Sequence, residues 1–227
     1  MRYQCMPMAS KAAYHHGNLR AALIAAATRL LARDGATACT LRAVAGAAGV
    51  SQAAPYHHFK DKDDLLDAVV AAGFERLAGL QERTMLKKRG GYEKLRANGI
   101  AYMTFAVTEP VLFRLMFGRD FLRPSFQARY RTVADRSFAL FADACREATA
   151  GVTTNPALFQ LSAWSLAHGL ASLLVDRRVD ELVRHVLGKR PGTALGRNDI
   201  HRLGAAVIDA LIAPAIASRR PAGKPTT

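Results

Sequence analysis

The sequence predicts an all-α protein in which a small N-terminal domain of three short helices is joined to a larger helical domain. Apolar residues recur at three- and four-residue spacing along nearly the whole chain, and no alternating strand pattern bounded by a hairpin dipeptide occurs. Capping residues precede the early periodic segments, and glycines follow the first two.

Each element has its own signal. Asn18 is placed to cap a first helix carrying Leu19, Leu23, Ala26, Ala27, Leu30 and Leu31, which Gly35 closes in a left-handed conformation. Thr40 offers a hydroxyl to a short second helix with Leu41, Val44, Ala45 and Ala48, ended by Gly49. Ser51 is expected to cap a third helix from Gln52 to about Phe59, with Pro55 tolerated in its first turn. Asp61 caps a longer fourth helix through Leu65, Leu66, Val69, Val70, Phe74 and Leu77, ending in the basic cluster Lys87-Lys88-Arg89 before Gly90-Gly91. Further helices are expected at about 92–107, 110–118, 124–149, 155–177 and 199–217, with a loop at Leu187–Asn198 before the last. The domain boundaries follow: a flexible arm over 1–15, the small domain over 16–76, the larger one over 77–218, and a disordered tail over 219–227.

Composition narrows the class. The 227 residues hold 32 Lys and Arg against 18 Asp and Glu, a formal charge of +14, and half are hydrophobic. Such a chain folds, and its charge points to a polyanionic partner. Only +3 of that charge lies in residues 1–76, with +11 beyond. No stretch approaches the roughly 18 uninterrupted apolar residues of a membrane span, and Met1–Ala13 lacks the apolar core of an export signal. Cys5, Cys39 and Cys145 are scattered without CxxC spacing, as fits reduced thiols in a cytoplasmic protein.

The helix, Gly49-Val50-Ser51 turn, helix pattern carries the chemistry. Two short helices cannot bury their apolar faces unless they cross, which is the geometry that sets a second helix in the major groove of double-stranded DNA. Gln52 can pair with adenine, Ala53 and Ala54 can touch a thymine methyl, and Tyr56, His57 and His58 can donate to bases or phosphates. Thr40, Arg42, Lys60 and Lys62 suit phosphate contacts, while residues 50–58 hold no Lys or Arg. His58 is expected to pack inward beside Phe59, and Cys39 to be buried between helices.

Thr40-Leu41-Arg42-Ala43-Val44-Ala45, Ala48-Gly49-Val50-Ser51 and Pro55-Tyr56-His57-His58-Phe59-Lys60-Asp61-Lys62 with Leu65-Leu66 resemble the N-terminal domain of the TetR family of transcriptional repressors, over about residues 16–76. Tyr14-His15-His16-Gly17-Asn18-Leu19 and Trp164 with His168-Gly169 resemble the subgroup with a WHG-type C-terminal domain. The resemblance implies a homodimer on a palindromic operator, released by a small-molecule effector in the larger domain. It implies phosphate contacts for Tyr56 and Lys62, base contacts for Gln52, Ala53 and His57, and Thr40, Arg42, Ser51 and Lys60 as further DNA-binding residues. Pro55 departs from the aliphatic residue usual before the tyrosine.

In the larger domain, aromatic and methionine residues crowd between 105 and 141, and Phe105, Phe113, Met116, Phe117, Phe138, Trp164 and His168 are candidates to line a cavity for a largely apolar or aromatic effector. Trp164 and His168 share a helical face one turn apart; a buried tryptophan beside an ionisable group suits an aromatic or anionic ligand. The small residues Ala163, Ala167, Gly169 and Ala171, and the wide stripe Ile200, Leu203, Val207, Ile208, Leu211, Ile212 and Ile216, suit a dimer through the last two helices. Neither HExxH nor Cys/His ligand spacing occurs, and Ser165 near His168 lacks a nucleophile elbow, so no metal, cofactor or catalytic group is expected. Two other readings stay open at this level: an enzyme with chemistry around His168, and an architectural DNA binder indifferent to sequence.

Overall fold

The computed structural model describes residues 19–118, 124–151 and 155–217, without the side chains of 125, 127–129 and 211–217. The Asn18 cap, the arm over 1–15, Phe121 and the tail over 219–227 lie outside the described residues. Among those described there are helices and no strand. The α-helices are α1 (Leu19–Ala38), α2 (Leu41–Ala48), α3 (Lys62–Met85), α4 (Gly91–Thr108), α5 (Pro110–Phe117), α6 (Pro124–Thr149), α7 (Pro156–Val175), α8 (Asp180–Val186) and α9 (Arg197–Ala217).

The anticipated stops operate. Gly35 (φ 78°, ψ 178°) breaks the helical path of α1 near its end. Gly49 sits in the left-handed region and closes α2, with the Val50 amide reaching back to the Ala45 carbonyl at 3.0 Å. Thr40 and Asp61 cap α2 and α3 by accepting from the Ala43 and Asp64 amides.

The third helix is different. Between Ser51 and Phe59 the chain forms only a 3-10 turn, Ala54–His57, and Ser51 is not its cap. Pro55 has no amide hydrogen to return to Ser51, so the α-helical ladder cannot start. The Ala54 and Tyr56 amides instead bond three residues back, to Ser51 and Ala53, and the Pro55 carbonyl accepts from both His58 and Phe59. A second departure is α8, where only the run-up to a loop was expected. Buried Arg184 on α8 donates to the Thr193 carbonyl and pairs with Glu181, and Asp199 accepts from Lys189 and the Gly196 amide, so the following loop is tied at both ends.

The core is assembled on α3. It packs against α1 on the side of the small domain and against α4, α5 and α6 in the larger one, while α2 rests chiefly on α1. Leu65, Leu66, Val69 and Val70 meet Leu23, Leu30, Val44 and Phe59 in one apolar cluster that runs on through Phe74 and Leu77 into the larger domain. At the centre of that domain α4 touches α3, α5, α6, α7 and α9. Its start is pressed against the end of α6: a Cβ on Gly91 would overlap the Ala148 amide and the Glu147 backbone.

Replacing Gly91 by alanine should therefore force α4 away from α6. The expected cost is roughly 1–3 kcal/mol, seen as a thermal midpoint several degrees lower. An unchanged midpoint would show that the helices are not held at this distance.

Candidate nucleic-acid interface and cavity

The small domain has an inner and an outer side. Leu41, Val44, Ala45, Pro55 and Phe59 are buried, whereas Thr40, Arg42, Ser51, Gln52, Ala53, Tyr56, His57 and Lys60 are exposed and Lys62 is half-buried. The turn after α2 produces this split. With Pro55 and Phe59 anchored in the core, the intervening Tyr56 ring is left in solvent, 57% exposed. His58 is half-buried with its ring centroid 6.4 Å from that of Phe59, as expected. The Arg20 guanidinium lies over the same Phe59 ring, 5.3 Å from its centroid, and also donates to the Tyr130 hydroxyl on α6.

Two of the candidate contacts are already engaged. Arg42 donates through Nε to Gln52 Oε1 at 3.2 Å, and Lys62 Nζ donates to the Ala36 carbonyl at 2.6 Å. Bidentate adenine pairing needs Gln52 to accept as well as donate; its carbonyl oxygen has a second lone pair for this, so the Arg42 bond orients the side chain without blocking that pairing. Cys39 is buried, and burial raises its thiol above the usual range, which suppresses thiolate chemistry. Burial pushes the Cys145 thiol up to about 12.

The larger domain encloses a cavity of about 360 Å³ between α3, α4, α6, α7 and α9, at the small end of the range for ligand sites. Of the expected lining residues, Phe117, Phe138, Trp164 and His168 face it. Phe105, Phe113 and Met116 do not line it; they are buried in the surrounding core, with Met116 packed at Gly73 of α3. Trp164 is not the buried tryptophan expected: it is 37% exposed, its ring stacked on His168 at 5.0 Å and 11°. Ser172 Oγ stands 3.5 Å from His168 Nε2.

His168 is surrounded by Trp164, Phe113, Phe117 and Tyr102, whose hydroxyl is 2.7 Å from Nδ1. Burial lowers its basicity and raises that of the Tyr102 phenolate. The pair is therefore neutral at physiological pH, with no anchor for an anion.

Sequence reasoning missed the cavity's polar floor. Gln81, Asn98 and Ser137 are buried and line it. Ser137 Oγ donates to Gln81 Oε1 at 2.8 Å, and Gln81 Nε2 donates to Asn98 Oδ1 at 3.3 Å. The available signal was register: Gln81 follows Phe74 and Leu77, and Asn98 falls between Leu95 and Tyr102, on faces otherwise apolar. No cluster of metal-ligating side chains occurs among the described residues.

Residues 23–69 match the family model described as bacterial regulatory proteins, tetR family, and residues 95–187 match the tetracyclin repressor-like C-terminal domain; together they span more than half of the chain. Among solved structures, a protein with unknown function from Rhodococcus sp. RHA1 is 29% identical, with a TM-score of 0.70, over 90% of this chain and 98% of that one. The TetR family transcriptional regulator PfmR from Thermus thermophilus is 20% identical, with a TM-score of 0.61, over 84% and 97%. The fatty acid degradation regulator FadR from Bacillus halodurans is 16% identical, with a TM-score of 0.65, over 88% and 97%. The last two likenesses are of fold. No curated protein matches the chain.

The environment of His168 makes a pH prediction. Its folded pKa lies below the unfolded value of about 6.5, so as pH falls below about 6.5 the unfolded chain takes up a proton that the folded chain refuses. Stability is thus full above that value and declines on the acid side. Thermal midpoints between pH 7.5 and 5 should fall more steeply for the wild type than for His168→Phe; parallel curves would show that His168 protonates freely in the folded protein.

Proposed function

This chain belongs to the TetR family of bacterial regulatory proteins, DNA-binding transcription factors and not enzymes, and we propose that it is a homodimeric repressor of a palindromic operator, released by a small-molecule effector. Residues 16–76 form the reading head and residues 77–218 the effector-binding and dimerisation domain. Gln52, Ala53 and His57 face bases; Thr40, Arg42, Ser51, Tyr56, Lys60 and Lys62 contact the phosphates around them. Phe117, Phe138, Trp164 and His168 surround the effector. The protein acts in the cytoplasm, where its operator lies.

One observation carries this reading: the exposed turn residues include no Lys, Arg, Asp or Glu and are able to read bases, while the cations Arg42, Lys60 and Lys62 flank them. Neutral groups discriminate between sequences, and flanking cations supply salt-dependent affinity common to all of them. A sequence-indifferent architectural binder would need the reverse distribution.

The dimer is supported by α7. Ala163 and Ala171 face the chain's own core, so they are not the small residues that admit a partner. Leu158, Leu161, Leu166 and Leu173 are exposed, and nothing stands within 4 Å of a Cβ placed on Gly169. This helix is long and apolar enough to cross a membrane by composition, though only a minor part of it is buried within the chain; a second copy covers such a face. Leu211, Ile212 and Ile216 of α9 lie outside the described side chains.

Anisotropy titration against operator DNA should show Tyr56→Ala and Lys62→Ala binding at least tenfold more weakly, with the salt slope of Lys62→Ala smaller by about one. Wild-type affinity in both would sink the reading head. Leu161→Glu should halve the mass measured by light scattering, and an unchanged mass would remove α7 from the interface.

A further inference from the structure

We infer that the effector is an uncharged molecule with an apolar, ring-bearing body and a carbonyl-type acceptor, which the amide groups of Gln81 and Asn98 receive on the cavity floor. The inference rests on the reading of this cavity as the effector site.

The polarity of the cavity is graded. Trp164, Phe138 and Asp135 are exposed at its open side, whereas Gln81, Asn98 and Ser137 are at most 6% exposed. A ligand that enters thus meets apolar walls first and polar groups last.

The floor has donors to spare. Each carboxamide carries two N–H donors and one carbonyl. Gln81 spends its carbonyl on Ser137 and one N–H on Asn98. Asn98 spends its carbonyl on Gln81 and one N–H on the Met85 thioether, a weak acceptor at 3.3 Å. The second N–H of each has no acceptor among these bonds. Buried donors are satisfied by an acceptor when one is supplied.

Charge excludes the alternatives. No Lys or Arg is among the described lining residues, and the one carboxylate, Asp135, sits at the exposed side. A carboxylate or phosphate on the floor would be buried without a counter-ion and repelled by Asp135. An ammonium on the floor would be buried with no carboxylate to pair with, since Asp135 sits at the exposed side. A ketone, lactone, ester or amide oxygen meets both requirements.

The position of Gln81 gives such a ligand leverage. Gln81 on α3 joins Asn98 on α4 to Ser137 on α6, and the helix that carries it begins at Lys62, beside the reading head. An acceptor placed here acts at the junction that fixes α3 against the rest of the domain.

Four probes on one diphenylmethane skeleton test the inference in the full-length protein: benzophenone, diphenylmethane, diphenylacetate and diphenylmethylamine. Affinities come from calorimetry at pH 7, and the fluorescence of Trp164, the single tryptophan of the chain, reports entry into the cavity. Benzophenone should bind at least fivefold tighter than the other three, and Gln81→Leu should erase its advantage over diphenylmethane. Equal or tighter binding of diphenylacetate, diphenylmethylamine or diphenylmethane would overturn the inference while leaving the effector cavity intact. If none of the four binds or perturbs Trp164, the cavity reading itself falls. The wild-type comparison decides the question even if Gln81→Leu does not fold.

Discussion

The continuity of α3 is the constraint on which the rest of the molecule depends. It runs 24 residues without a break, about 36 Å, and buries one end in the small domain and the other in the large one. Asp61 caps it where the reading turn ends, and Gln81 sits beyond the expected domain boundary at residue 76, bonded to α4 and α6. On the proposed reading, a ligand that shifts the cavity end of α3 is placed to shift the reading head as well. Arg136 on α6 donates to both carboxylate oxygens of Glu82, and Arg76 pairs with Glu109 at the end of α4, so the same helix is also held from outside. Exposed pairs of this kind contribute little stability, about 0–1 kcal/mol each. Their effect is to define one alignment of α3 against its neighbours.

Most of this fold was legible in the sequence because its signals are local. Thr40 and Asp61 cap because a hydroxyl or carboxylate needs only an amide three residues on, and Gly35 and Gly49 stop helices because no other residue takes a positive φ cheaply. The failures come where a local rule competes with another or where tertiary contact decides. Pro55 is compatible with the first turn of an α-helix, but in a segment this short its missing amide leaves too few bonds to begin one, and a 3-10 turn results. Residues 180–186 do carry helical signals, with Leu182, Val183 and Val186 on one side, acids in the first turn and bases in the last, but in so short a segment these are easily passed over; in the structure buried Arg184 ties α8 to the loop that follows.

The cavity was half legible for a related reason. Aromatic crowding correctly brought Phe117, Phe138, Trp164 and His168 together. It could not separate wall from core, since Phe105 and Phe113 have the same chemistry and are buried without lining the cavity. Trp164 shows the limit most plainly: its neighbours in sequence suggest burial, yet α7 turns one side to α4 and leaves the other in solvent. The polar floor escaped notice because single Gln and Asn residues are ordinary in composition and become informative only in register with an apolar stripe.

The reading head shows how a basic protein can be selective. On the proposed reading, Lys62 exchanges its bond to the Ala36 carbonyl for one to a DNA phosphate, while Gln52 can keep its bond from Arg42 and still accept from a base. Each internal hydrogen bond is worth about 1 kcal/mol net, so the exchange offsets part of what any DNA offers. A matching operator returns more than is lost, through base edges in the right order; a random sequence returns phosphate contacts alone. Because Lys62 meets a phosphate on any DNA, its internal bond lowers all affinities by a similar amount and leaves the difference between sites untouched, which matters when competing sites are numerous. The chain's +14 drives encounter, but only +3 of it belongs to residues 1–76, and the neutral turn between its flanking cations decides where the encounter ends in binding.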